Sequence, residues 1–229
     1  MNIVFILVEP AVPGNVGASA RAMNTMGFSQ MRLVNPCDHL GKEARMLAHG
    51  SHHILEHAQV YNSFNQAIED LDFVIATTAK KRSSKEEYAD GRKLKEILNK
   101  KGISIHSVGL VFGREESGLT NEEVGLCDLA SCIPMAAPYP SLNLSQAVMI
   151  YSFLMADMNI KADDPLTEIN NQEGLKELKN KVIDLLVDIE INKNPVLFNR
   201  ILERIMLLGE DDIHLFHSVL NKLQEKTGK

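Results

Sequence analysis

Apolar residues fall in short, separate runs along the chain. Ile3 to Val8 (IVFILV), Met31 to Val34, Phe73 to Ala76, Val108 to Phe112 and Leu129 to Ile133 are continuous runs bounded by Gly, Pro or polar residues. That is the pattern of strands covered on both faces. Between them the apolar positions take helical spacing. Helices are expected over Val16 to Met26 with Gly27 as C-cap, over Gly41 to Ala48, and over Phe64 to Leu71 with Ser63 as N-cap. This β–α alternation predicts a mainly parallel sheet with helices on both sides. A further helix, apolar nearly all round, runs from Asn143 to about Met158, and suits burial in the core or at a dimer interface.

The pattern then changes. Residues 161–171 are polar and read as a linker. Leu175, Leu178, Val182, Leu185 and Ile189 mark one amphipathic helix, Asn194-Pro195 opens a second, and Asp211 or Asp212 is expected to cap a third after Gly209. The organisation is therefore an α/β domain over residues 1–160, a linker over 161–171 and a helical extension over 172–229. The extension carries no evident chemistry and suits a partner, RNA or another subunit.

The strand runs empty into irregular loops: Glu9 to Gly17 (EPAVPGNVG), Thr77-Thr78-Ala79, Gly113 to Gly118 (GREESG), and Pro134 to Asn143. Open α/β proteins bind ligands where strands end in such loops. None matches a Walker motif or a GxGxxG fingerprint, so backbone groups are expected to do most of the holding. Asn15 has two readings, N-cap of the first helix or site residue, and the two are compatible. The turn before that helix also suits an anion, which keeps open an α/β protein that binds a phosphorylated metabolite.

Composition narrows the picture. Of the charged residues 24 are Lys or Arg and 30 Asp or Glu, a net charge of −6, which argues against an overall basic surface but not against a local patch. Lys80-Lys81-Arg82-Ser83-Ser84-Lys85, followed by Arg92, Lys93, Lys95, Lys100 and Lys101, is such a cluster, read either as phosphate contacts or as a solvated face. Trp is absent, so no large base-stacking platform is expected. The 3 cysteines contain no CxxC, which predicts neither disulfides nor structural zinc and suits the cytoplasm. His49, His52, His53 and His57 lack an HExxH arrangement, and no metal is expected. The apolar run at the N-terminus is too short to span a membrane.

Three blocks carry a family resemblance: Leu7-Val8-Glu9 through Gly14-Asn15-Val16-Gly17 to Ala20-Arg21-Ala22-Met23 and Met26-Gly27; Leu110-Val111-Phe112-Gly113-Arg114-Glu115 through Gly118-Leu119-Thr120-Asn121-Glu122-Glu123; and Ser141-Leu142-Asn143-Leu144 with Ala147-Val148. In this order the chain resembles the SPOUT superfamily of RNA methyltransferases, in particular the TrmJ-like tRNA (cytidine/uridine-2′-O)-methyltransferases. The resemblance implies an α/β knot, a mainly parallel sheet with a deep trefoil knot. It implies S-adenosylmethionine bound by Thr77, Thr78, Ala79, Gly113, Ile133, Pro140, Ser141 and Leu142. It also implies a homodimer in which one subunit completes the other's site, RNA as substrate (tRNA first, rRNA as alternative), and Arg21, Asn15, Glu115, Ser141 and Asn143 as catalytic residues. Pro140 stands where close relatives often carry a second serine. A knotted RNA-binding protein without catalysis is the remaining alternative.

Overall fold

A computed structural model describes residues 1–79, 85, 87–136, 142–158 and 174–227. In chain order the elements are β1 (Asn2–Val8), α1 (Pro13–Thr25), β2 (Met31–Val34), α2 (Lys42–Leu47), α3 (His52–Glu56), β3 (Gln59–Tyr61), α4 (Phe64–Ile68), β4 (Phe73–Thr77), β5 (Tyr88–Asp90), α5 (Leu94–Asn99), β6 (Ser107–Phe112), α6 (Asn121–Leu126), β7 (Leu129–Cys132), α7 (Leu144–Met155), α8 (Leu175–Asp188), α9 (Pro195–Ile205) and α10 (Glu210–Thr227).

The strands form one sheet in the order β3-β2-β1-β6-β4-β7-β5, and each neighbouring pair in it runs parallel. The two short strands, β3 and β5, were not visible in the apolar pattern; both lie at sheet edges and neither is buried. β1 sits between β2 and β6, with Leu7 level with Leu33 on one side and Phe112 on the other. Its alternation splits the core. Val4, Ile6 and Val8 pack with Phe64, Leu71, Val74, Val111 and Val124. On the opposite face Phe5 stacks on Phe112 (6.0 Å between centroids) and meets Phe28, while Phe112 takes the edge of Tyr151 from α7. A sheet covered on both faces needs the continuous apolar runs this sequence has. β7 lies between β4 and β5, so a later strand separates two earlier ones that are consecutive in sequence.

α1 ends in a Schellman pattern: Phe28 N–H donates to Met23 O and Gly27 N–H to Asn24 O. A side chain at Gly17 would stand 2.0 Å from Ala44 O, so α1 packs on α2 backbone to backbone. Ser63 caps α4 by accepting from Gln66 N–H. α7 is narrower in burial than its composition suggests. Leu144, Val148, Tyr151, Ser152 and Met155 are buried, whereas Phe153 is 67% exposed.

A second compact unit comprises residues 96–106 and 162–229. Within it Lys101 is fully buried, and its Nζ donates to Met206 O and Leu208 O at the end of α9. A lysine in that place is not a phosphate contact, which corrects one member of the basic cluster; a cation at a helix C-terminus answers the orphan carbonyls instead. Asn194 caps α9. α10 begins at Glu210, so Asp211 and Asp212 lie inside its first turn and do not cap it. The linker expected over 161–171 and the basic run Lys80 to Ser84 lie outside the described residues. No helix among the described residues is long and apolar enough to cross a membrane.

Candidate active site

β1 ends in a sharp turn. Glu9 has φ 46°, in the left-handed region that non-glycine residues seldom take, and its N–H donates to Val34 O at 2.8 Å. Pro13 then opens α1, with Val12 at the N-cap and no side-chain cap bond. Asn15 is therefore inside the first turn and is not the cap. Its Nδ2 donates to Glu115 Oε1 (3.0 Å), and its Oδ1 accepts from Asn143 Nδ2 (2.9 Å).

Glu115 arrives from the loop after β6. Besides Asn15 it accepts from Ala11 N–H (3.0 Å) and Val12 N–H (3.2 Å). A distant carboxylate thus serves the amides at the start of α1, where the helix dipole also favours negative charge. Burial pushes the Glu115 carboxyl up, but the hydrogen bonds from Ala11, Asn15 and Val12 outweigh it and hold the group below the usual glutamate range. At neutral pH it is an ionised anchor whose lone pairs are engaged, not a base waiting for a proton. Asn143 has a double role as well. It caps α7 by accepting from Ser145 N–H and Oγ–H, and Gln146 closes the capping box onto its own N–H.

Beside this chain of polar contacts lies a cleft of about 380 Å³ at the C-terminal edge of β4, β6 and β7. Its volume falls within the usual range for small-molecule sites, ~300–1,000 Å³. Thr77, Thr78, Ala79, Gly113, Ile133 and Leu142 all line it, joined by Phe112 and Leu144 from the resemblance blocks and by Met135 and Tyr151, for which the sequence predicts no site role. Thr77 Oγ donates to Val111 O (2.8 Å). Thr78 N–H donates to Ser131 O, but its buried hydroxyl has no hydrogen-bond partner among the described residues. An unpaired buried hydroxyl in a cleft wall is available to a ligand.

The loop after β6 is folded tightly on itself. Arg114 and Gly118 exchange backbone hydrogen bonds (3.2 and 2.9 Å), and a side chain at Gly113 would stand 2.2 Å from the Gly118–Leu119 peptide. Arg114 clamps this loop. Its guanidinium makes two 3.0 Å bonds to the Glu123 carboxylate and a 2.8 Å bond to Glu9. Glu123 also closes a capping box with Thr120 at the start of α6. The paired Arg114 guanidinium is held even more firmly protonated, by Glu123 first and Glu9 second. The same pairing keeps the Glu123 carboxyl below its ordinary value against the opposing effect of burial. Arg114, Glu9 and Glu123 were missed as a group because Glu9 stands 105 residues before Arg114, although Glu123 is only 9 residues beyond it.

Arg21 is exposed and its side chain makes no hydrogen bond or ion pair with another described residue. Six residues beyond Asn15, it is rotated by about 240° around α1, so it does not join Glu115, Asn15 and Asn143 in the same chain. Pro140 and Ser141 lie outside the described residues. Among the described residues no group of three or more His, Cys, Asp or Glu is placed to hold a metal. His52 and His57 instead bond backbone carbonyls, of Arg45 and His53.

Comparison with known proteins bears on both units. The profile of the SpoU rRNA Methylase family matches residues 2–153, and that of the C-terminal domain of tRNA/rRNA methyltransferase LasT matches residues 172–227. An Escherichia coli chain described as an uncharacterised tRNA/rRNA methyltransferase, LasT, is 38% identical over 229 residues, covering 100% of both chains. The tRNA (cytidine-2′-O-)-methyltransferase TrmJ of Methanocaldococcus jannaschii is 36% identical over 223 residues, covering 91% of this chain and 94% of its own. A probable methylase family protein of Haemophilus influenzae superposes with a TM-score of 0.66 at 27% identity, covering 99% and 97% of the two chains.

Proposed function

The chain belongs to the SpoU rRNA methylase family, and from that premise we propose that it is an S-adenosylmethionine-dependent RNA ribose 2′-O-methyltransferase acting on tRNA, at a cytidine or uridine of the anticodon loop. The observation that carries the reading is the bonded chain Glu115–Asn15–Asn143. It draws the three sequence blocks of the resemblance together beside a cleft with no nucleotide-binding fingerprint.

The cleft fits the cofactor. The Thr78 hydroxyl offers an unmade hydrogen bond, Gly113 leaves no side chain in the wall, and Ile133, Leu142 and Leu144 give apolar surface. Pro140 and Ser141 are assigned to the cofactor by the family resemblance alone. Bound there, S-adenosylmethionine supplies an electrophilic methyl group on a sulfonium. The chain's own residues do the positioning. Glu115 pins the start of α1, Asn15 and Asn143 tie α1 to α7, and orientation of this kind supplies much of the rate of an in-line displacement. Arg21 is the group that meets the ribose. A guanidinium does not give up its proton in a protein; it orients the 2′-hydroxyl and stabilises negative charge growing on that oxygen. The proton leaves to water or to a substrate phosphate.

Arg21 acts on the cleft of a partner subunit in a homodimer. Its exposure and its turn away from Asn15 support that arrangement, as does the exposed Phe153 on α7. The trefoil knot accords with β7 lying between β4 and β5. We assign the methyltransferase domain to residues 1–160, a linker to 161–171, a helical extension to 172–229, and the protein to the cytoplasm, where its free cysteines suit a reducing environment.

The acceptor is tested by incubating the protein with methyl-labelled S-adenosylmethionine and bulk RNA from cells lacking it, then separating tRNA from rRNA. Label in tRNA is expected. Label confined to rRNA moves the acceptor to rRNA, the second substrate in the name of the E. coli relative. Absence of label from both, with the cofactor still bound, overturns the reading.

A further inference from the structure

α10 presents to solvent a row of side chains that its own unit does not cover. Asp212, Leu215, Val219 and Lys222 follow at steps of three, four and three residues, the spacing of a single stripe on a helix. Leu215 is 62% exposed and Val219 51%, and both flanking charges are exposed. The opposite stripe, Ile213, His217 and Leu220, is buried.

The exposed stripe is complementary to itself. Read forward it is acidic, apolar, apolar, basic. Turned end for end, each acid meets a base and each apolar residue meets an apolar one. An antiparallel copy related by a two-fold axis near position 217 sets Leu215 against the partner's Val219 and Asp212 against the partner's Lys222, and each contact occurs twice. Isologous interfaces have this property. A shallow groove lined by Ser218, Val219, Lys222 and Leu223 lies on the same face, where it can receive the partner's Leu215. The ion pair that Lys222 makes with Glu225 (2.7 Å) is exposed at both ends, and such pairs hold a side chain only weakly.

We propose that this face of α10 is a self-association surface, occupied by α10 of a second copy. RNA is the poorer occupant, because two aliphatic side chains and an aspartate face what would be phosphates. The inference stands on α10 alone and does not depend on the catalytic reading.

The test uses the full chain. A Leu215→Cys protein is mixed with a Val219→Cys protein under mild oxidation, and the disulfides are mapped by mass spectrometry, which separates them from Cys37, Cys127 and Cys132. The expected product is a bond between position 215 of one chain and position 219 of the other. Adding Asp212→Lys to both proteins should lower its yield about tenfold, since it places like charges opposite each other at both ends. Adding Lys222→Asp as well should restore it, which a folding defect would not do. Absence of the 215–219 bond, or a yield indifferent to charge reversal and its restoration, overturns the proposal. Absence of the 215–219 bond, in a protein whose RNA affinity rises with Asp212→Lys, would assign the face to RNA instead.

Discussion

The carboxylate of Glu115 is surrounded by donors from a segment a hundred residues earlier. Replacing it with Gln keeps the shape but turns one acceptor into a donor facing other donors. Arg21, by contrast, makes no side-chain hydrogen bond or ion pair with another described residue. The two variants should therefore separate positioning from chemistry. Glu115→Gln is expected to lower methyl transfer by about 10²-fold through misplacement of α1, with a drop in melting temperature. Arg21→Ala should abolish transfer while leaving cofactor affinity nearly intact and the melting curve unchanged. Cofactor titration beside single-turnover kinetics checks both, and unchanged turnover would remove Arg21 from the mechanism. The Glu115 carboxyl is depressed on folding, so the stability it contributes is present above the ordinary glutamate pKa and is lost as pH falls through its folded value. The melting difference between Glu115→Gln and the unaltered protein should shrink in acid below that value. At this scale the sequence was half legible. Asn15 before a helix reads as a cap, and only the structure gives that duty to the backbone at Val12 and the Asn15 side chain to Glu115.

Among the elements, the loop after β6 is the most constrained. Arg114 ties it to Glu9 in the loop after β1 and to Glu123 in α6, so the loops flanking the cleft share one ion cluster. Gly113 lies in the middle of that closure, with the Gly118–Leu119 peptide where a side chain would go. Gly113→Ala should push that peptide outward. The expected result is cofactor affinity weaker by at least about tenfold, the cost of misplacing one or two hydrogen bonds, read by isothermal titration with S-adenosylhomocysteine; unaltered affinity would mean that the loop wall does not contact the cofactor. Long apolar runs made β1, β2, β4, β6 and β7 legible within a residue or two. β3 and β5 were not, because three-residue edge strands have no room to express a period. Thr120-x-x-Glu123 is a readable capping box, and it would have located the start of α6 and one end of the Arg114 clamp. The other end, Glu9, has no local signal.

Across the whole molecule, alternation of apolar runs and helices was enough to predict a parallel α/β sheet. It was not enough to place β6 between β1 and β4 or β7 between β4 and β5, because parallel pairing is set by contacts far apart in sequence. The site depends on that unread order: it brings the ends of β1, β4, β6 and β7 to one edge, and the three resemblance blocks with them. The basic residues that follow the Lys80–Lys85 run say less about RNA than their composition promised, since Lys101 is buried at the end of α9 and Lys95 pairs with Asp157. Acceptance of RNA is better judged from what the protein does to it. The most direct measurement is alkaline hydrolysis of RNA labelled by the protein from methyl-labelled S-adenosylmethionine. A 2′-O-methyl group removes the hydroxyl that attacks the neighbouring phosphodiester, so ribose methylation leaves the label in alkali-resistant dinucleotides, whereas base methylation releases it in mononucleotides. The account predicts label in the dinucleotide fraction, lost in Arg21→Ala; label in mononucleotides would contradict it.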